Sequence, residues 1–287
     1  MKYRHSYHAG NFADVHKHVT LLALLAALKR KDKGFLFLDT HAGRGAYDLS
    51  GGGAEAAAGI GRLLAATPQA PELREYLERI ASLRAALRQR HLYPGSPLLA
   101  ASSLRPQDRA GFFELQGPEA HALKEALAAL SGNAAGAPVN LRAERGDGLA
   151  ALRAWLPPAE RRGLILLDPP YEESRADLGA LRAALADALG RFATGVFMAW
   201  YPIKDERGLA PWLSECARTL PVPLLASELW LYPRDSRVGL NGSGLLVANP
   251  PYRILERMRE WLPELSACLA TGPAAGSSAR MLSQSAG

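Results

Sequence analysis

The sequence predicts a doubly wound α/β domain, with a mostly parallel seven-stranded sheet whose last strand runs antiparallel and a small inserted helical subdomain. Short apolar runs alternate with helical segments in successive βα units, and the last two strand candidates follow one another with no helix between them. About seventy residues separate the first two strands, where a parallel crossover needs only a helix and two short loops, so this gap holds the insertion.

Asn11 is placed to cap a helix, with Asp14 near its positive end, and Val15 to Arg30 follows as a strongly apolar helical run. Lys31-Asp32-Lys33-Gly34 breaks it, and Phe35-Leu36-Phe37-Leu38-Asp39 reads as the first strand. Within the insertion Leu73, Tyr76, Leu77, Ile80, Leu83 and Leu87 recur at helical spacing. Arg74, Arg79, Arg84 and Arg88 fall on the opposite face, which suits either a solvated surface or RNA. Further strands are expected at 110–115, 139–143, 164–167, 194–200, 226–231 and 244–248, with helices at 118–130, 148–155, 175–189 and 211–220. Residues 1–51 and 94–268 are assigned to the main domain, with 1–18 as an N-terminal motif. Residues 52–93 form the insertion, and 269–287, rich in Ala, Gly and Ser, is expected to be a disordered tail.

The bulk properties narrow the class. A chain of 287 residues with 48% hydrophobic and 22% charged residues can bury a sizeable core. The net charge of +6 favours a polyanionic partner. Cys216 and Cys268 have no ligand-like spacing, so neither a disulfide framework nor a zinc site is indicated. The first eight residues are polar and aromatic, unlike a signal peptide, and the apolar run from Val19 to Leu28 is too short to span a bilayer. A cytoplasmic protein is expected.

The sharpest motif is Asp168-Pro169-Pro170-Tyr171, directly after the apolar run Leu164-Ile165-Leu166-Leu167. The prolines stiffen the turn, so the Asp168 carboxylate and the Pro169 carbonyl are presented as acceptors for an exocyclic NH2 group. Tyr171 offers a face on which a flat ring can stack. This combination suits methylation of an amino nitrogen conjugated to a ring or carbonyl. A near copy, Asn249-Pro250-Pro251-Tyr252, follows the last strand. Asp168 ends the fourth strand, beside the first at the switch point, whereas Asn249 ends an antiparallel strand and belongs on the opposite edge. The copy is therefore read as a structural exit turn.

The turn Asp39-Thr40-His41-Ala42-Gly43-Arg44-Gly45 resembles the S-adenosylmethionine loop of class I (Rossmann-like) methyltransferases, with His41 in place of the usual first glycine. Glu114 at the end of the second strand suits ribose hydroxyls, and Asp147-Gly148 after the third suits an adenine amino group. No G-x-G-x-x-G fingerprint argues for a dinucleotide.

Four of the seven histidines, His5, His8, His16 and His18, lie in the first eighteen residues, but no cysteine or acidic cluster completes a zinc site, and no metal is expected. The whole segment from Tyr3 to His18, with Leu38 to Gly43 and Asp168-Pro169-Pro170-Tyr171-Glu172, resembles the RlmJ family of bacterial 23S ribosomal RNA adenine-N6 methyltransferases over nearly the full length. Phe12 stands where that pattern has a polar residue. The resemblance implies S-adenosylmethionine as donor and one adenine of 23S ribosomal RNA, free or in an early assembly particle, as acceptor. It implies cofactor contacts at His18, His41, Ser96, Glu114, Asp147, Gly148 and Asp168. It further implies Asp168 as proton acceptor, Tyr3 as an RNA contact, and His5 and Lys17 as neighbours of the target base. A monomer without membrane or metal partners is expected. The motif Asp-Pro-Pro-Tyr alone does not separate this activity from methylation of DNA adenine-N6 or protein glutamine-N5. A non-catalytic RNA-binding protein on the same fold is a further alternative.

Overall fold

A computed structural model describes residues 8–282 except 134–139, 172–173, 205, 234–235 and 237–238. Helix α1 (Phe12–Lys29) precedes the sheet, and its cap Asn11 accepts the Asp14 amide at 2.9 Å, as the sequence predicts. Strand β1 (Leu36–Asp39) follows, and then a small antiparallel hairpin of β2 (Ala46–Asp48) and β3 (Leu92–Pro94) encloses the insertion. Within it, a short helical stretch containing the π turn Ala57–Gly61 leads to α2 (Pro71–Ala86). The chain continues through α3 (Ser96–Ala101), β4 (Arg109–Glu114), α4 (Gly117–Asn133), β5 (Leu141–Arg145), α5 (Gly148–Trp155) and β6 (Gly163–Leu167). Then come α6 (Ser174–Arg191), β7 (Val196–Ile203), α7 (Glu206–Thr219), β8 (Leu224–Trp230), β9 (Gly242–Ala248), α8 (Ile254–Leu269) and β10 (Gly276–Leu282).

The main sheet has the order β10-β8-β9-β7-β6-β1-β4-β5. β5, β4, β1, β6 and β7 are parallel, while β9 runs antiparallel between β7 and β8. The central strands β1, β6 and β9 are buried along their whole length because both faces are covered, whereas the edge strands β5 and β10 are only partly buried. Phe35, Phe37, Leu164 and Leu166 pack towards α1, α2, α3, α4 and α8, while Leu36, Leu38, Ile165 and Leu167 pack towards α5, α6 and α7. Among the described residues no helix is long and apolar enough to cross a membrane.

The structure corrects the expected chain end. Among the described residues the sheet has eight strands rather than seven, because β10 pairs antiparallel with the whole length of β8. Low-complexity composition hides this strand. Its partner supplies the hydrogen bonds, and Arg280 reaches the buried Glu228 carboxylate at 2.9 Å. Residues 276–282 are thus an edge strand and not a disordered tail. The insertion is helical but has no core of its own: Leu73, Tyr76, Ile80 and Leu83 join the cluster formed by α1 and the sheet. Arg79 and Arg84 of its basic face are tied to the carbonyls of Ser102 and Leu92, whereas Arg74 and Arg88 are exposed.

Topology also separates the two Pro-Pro-Tyr motifs. β6 lies beside β1, with Leu166 paired to Asp39, so Asp168 emerges at the carboxyl edge of the parallel strands. β9 runs the other way and delivers Asn249 to the opposite edge. There Asn249 adopts φ 53° and donates from Nδ2 to the carbonyls of Ala193 and Gly195, both at 2.8 Å. Asn is among the few side chains that tolerate this conformation. The second motif is a turn.

Candidate active site

Acidic residues stand at the ends of four neighbouring strands along one edge: Asp39 closing β1, Glu114 closing β4, Asp147 just after β5 and Asp168 just after β6. The loop after β1 is bound down on both sides. Thr40 donates its amide and hydroxyl to the Leu166 carbonyl, and the Ala42 amide donates to Phe113. Glu114 accepts the Gly43 amide at 3.0 Å and the Gln116 amide at 2.7 Å, so its carboxylate lies directly under the loop. Gly43 and Gly45 have φ of 59° and 75°, which explains the glycines. Gly148 is required by proximity: a Cβ there would lie 2.1 Å from the Thr40 carbonyl oxygen. Asp147 caps α5 by accepting the amides of Leu149 and Ala150.

Helix α1 closes the site from the side. Lys17 Nζ lies 2.5 Å from Asp168 Oδ2 and 2.8 Å from Asp14 Oδ1, and all three side chains are largely buried. Asp14 Oδ2 also accepts the Gly10 amide. Burial works against the Asp14 carboxylate, but Lys17 and His18 hold its pKa at about 2. Burial likewise works against Lys17, and the Asp14 and Asp168 carboxylates overrule it, keeping the ammonium well above its ordinary pKa. His18 Nδ1 meets the Tyr93 hydroxyl at 2.9 Å, and burial pulls this imidazole down to about 4, so it is neutral at physiological pH. Asp39 accepts the Ser96 hydroxyl at 2.6 Å and the His41 amide. Burial pushes the Asp39 carboxyl up to about 7, against the Ser96 hydrogen bond and reinforced by Asp168.

Of the residues singled out from sequence, Lys17, His18, His41, Ser96 and Asp168 line one cavity, together with Asp14 and Tyr47. Glu114, Asp147 and Gly148 sit on the adjoining strand ends outside that lining. Pro169 is half-buried, and Tyr171 donates its hydroxyl to the Trp200 carbonyl at 2.5 Å. Tyr3 and His5 lie outside the described residues. Asp14 belongs to the site but escaped the sequence reading as a functional group, and Asp39 was read only as the start of the glycine loop. Asp14 could have been found from its spacing, since Asp14, Lys17 and His18 fall on one helix face. Among the described residues no cluster of His, Cys, Asp or Glu is arranged as a metal site. His16 and His18 face different partners, Ser243 and Tyr93.

A family model described as "Ribosomal RNA large subunit methyltransferase D, RlmJ" matches residues 32–281. The chain belongs to the RlmJ family. An Escherichia coli relative named ribosomal RNA large subunit methyltransferase J is 38% identical over 269 residues, covering 92% of each chain. Its Haemophilus influenzae counterpart is 37% identical and covers 94% of each. A protein of Legionella pneumophila with a known crystal structure superposes with a TM-score of 0.81 at 34% identity, covering 97% of this chain and 99% of that one. The family model spans the insertion and most of the sheet, and the Legionella structure, covering 97% of this chain, takes in α1 as well. The chain is a methyltransferase.

Proposed function

We propose that this chain transfers a methyl group from S-adenosylmethionine to N6 of one adenine in 23S ribosomal RNA. The observation that carries the proposal is Asp168-Pro169-Pro170-Tyr171 at the end of β6, beside Asp39 of β1 and gripped by Lys17. The residues present suit the cofactor. A glycine loop lies flat against β4, Gly148 has no room for a side chain, and carboxylates stand at successive strand ends. Glu114 and Asp147 would hold the ribose and adenine of S-adenosylmethionine, and His18, His41 and Ser96 its amino-acid end, with Asp168 between cofactor and base. When bound, the cofactor supplies an electrophilic methyl group.

The protein's own part is positioning. The N6 lone pair of adenine is delocalised into the ring and must be turned out of conjugation to attack. Lys17 occupies Asp168 Oδ2, and Oδ1 makes no hydrogen bond among the described residues, so Oδ1 is the oxygen an adenine N–H can use. With the Pro169 carbonyl as second acceptor, both N–H bonds are directed and the lone pair is aimed. Asp168 is then the nearest acceptor for the proton shed as the amine becomes cationic. Extrusion of the base costs least from a loop or helix end, and Tyr171 supplies the stacking face. Tyr3, His5 and Lys17 are the residues proposed to meet the RNA around that base.

Asp168→Ala is expected to abolish transfer of tritiated methyl to deproteinised 23S RNA while retaining most of the RNA affinity. Full activity in that variant would sink the assignment. Parallel assays with duplex DNA and a release factor address the amino-group alternatives, and calorimetry with S-adenosylhomocysteine addresses a non-catalytic RNA binder.

A further inference from the structure

We infer that Trp200 is a positioning residue for the target base, fixing the ring of Tyr171 and itself fixed by a buried Ser243–His16–Ser227 chain that joins this corner to helix α1. The inference rests on the reading that Tyr171 stacks on the adenine.

The placement follows from register. β6 and β7 are paired as far as Leu167 and Ala199, and the next residues on each strand are Asp168 and Trp200. Trp200 therefore stands at the site edge beside the catalytic carboxylate. It holds Tyr171 at two points. Its carbonyl accepts the Tyr171 hydroxyl at 2.5 Å, and its indole meets the phenol ring edge-to-face, with centroids 5.3 Å apart and planes 70° apart. One contact anchors the far end of the ring and the other sets its tilt. The tilt of a stacking surface decides where a bound base lies, and methyl transfer is sensitive to displacements on the order of 1 Å.

Trp200 is held in turn. Indole Nε1 can only donate, so Ser243 Oγ, 3.0 Å away, is an acceptor there. Ser243 Oγ also lies 3.1 Å from His16 Nδ1, and His16 Nε2 lies 3.0 Å from Ser227 Oγ, so the chain runs unbroken from the indole to helix α1. Burial keeps His16 neutral, pulling its pKa down to about 3 against a backbone hydrogen bond to Ser243. A histidine and two serines fully buried between a helix and a sheet are expensive where aliphatic residues would pack. A chain serving the core alone could end anywhere. This one ends at the indole that holds Tyr171, and its histidine adjoins Lys17, which holds Asp168. The stacking face and the carboxylate are thereby referred to the same helix.

The test is steady-state methyl transfer to deproteinised 23S RNA by Trp200→Leu, Trp200→Phe and Ser243→Ala, alone and in a Tyr171→Ala background. Calorimetry with S-adenosylhomocysteine and thermal melts run alongside. Trp200→Leu is expected to lower kcat by about tenfold, with KM for RNA and cofactor-analogue affinity within about twofold, and Ser243→Ala less so. In the Tyr171→Ala background neither change should slow the enzyme further, because both act through that ring. Trp200→Phe, which keeps an aromatic edge but loses the hydrogen bond to Ser243, is expected to lower kcat less than Trp200→Leu and covers the case in which the leucine variant misfolds. Losses that add fully to Tyr171→Ala, or unchanged kcat in both Trp200→Phe and Ser243→Ala, overturn the inference and leave the proposed function standing. Full activity in Tyr171→Ala itself overturns the stacking reading and this inference with it.

Discussion

At the scale of single residues the site is a set of buried charges held in balance. Lys17 lies between the carboxylates of Asp14 and Asp168, so its removal leaves two acids facing one another out of water. Lys17→Met is expected to lower kcat by about a hundredfold or more and to destabilise the fold by about 3 kcal/mol, read from methyl transfer and urea unfolding. Asp39 behaves oppositely, as burial raises its carboxyl from 3.8 to about 7. A raised carboxyl contributes stability that is fully present below pH 3.8 and lost as pH rises through about 7. Asp39→Asn removes that titration. Its urea midpoint relative to the parent should therefore climb between pH 4 and 7 and level off above, and a flat difference would refute the assignment. Asp168 was legible in the sequence because the prolines around it announce a rigid strand end. The partner role of Asp14 was not, since a carboxylate near a helix start is ordinarily explained by the helix dipole alone.

At the scale of elements, strand direction distinguishes two motifs that the sequence makes almost identical. Asn249 donates to two carbonyls from a left-handed conformation on the edge away from the carboxylates. Asn249→Ala is expected to cost about 1–3 kcal/mol in chemical denaturation, with methyl transfer unchanged. A loss of kcat beyond the loss of folded protein would return this turn to the site. The regular βα units were legible because both faces of the central strands are covered, which makes β1, β6 and β7 largely unbroken apolar runs. The β2–β3 hairpin was not legible, as three-residue strands carry too little pattern. Residues 254–269 form α8, whose Met258, Trp261, Leu262 and Leu265 face the core, although Pro263 within it obscures a helical reading.

At the scale of the whole molecule, the chain end completes the sheet on the side far from the site. Arg280 on β10 is the cationic partner of Glu228, which is wholly buried. Arg280→Ala is expected to destabilise the fold by about 1–3 kcal/mol, less than a fully buried pair because Arg280 is partly solvated, and to leave S-adenosylhomocysteine affinity unchanged in calorimetry. A weakened affinity would mean that the far edge of the sheet is coupled to the cofactor loop. The sequence by itself determined the doubly wound sheet and the placing of Asp168 at a rigid strand end, because each is written in local periodicity, turn chemistry and a contiguous motif. Only the tertiary structure decided that Lys17 grips Asp168, that Glu114 lies under the glycine loop, and that residues 276–282 form a strand. Each of those depends on groups far apart in the chain meeting across a shared edge, and no local pattern records which partner a buried charge or an open strand will find.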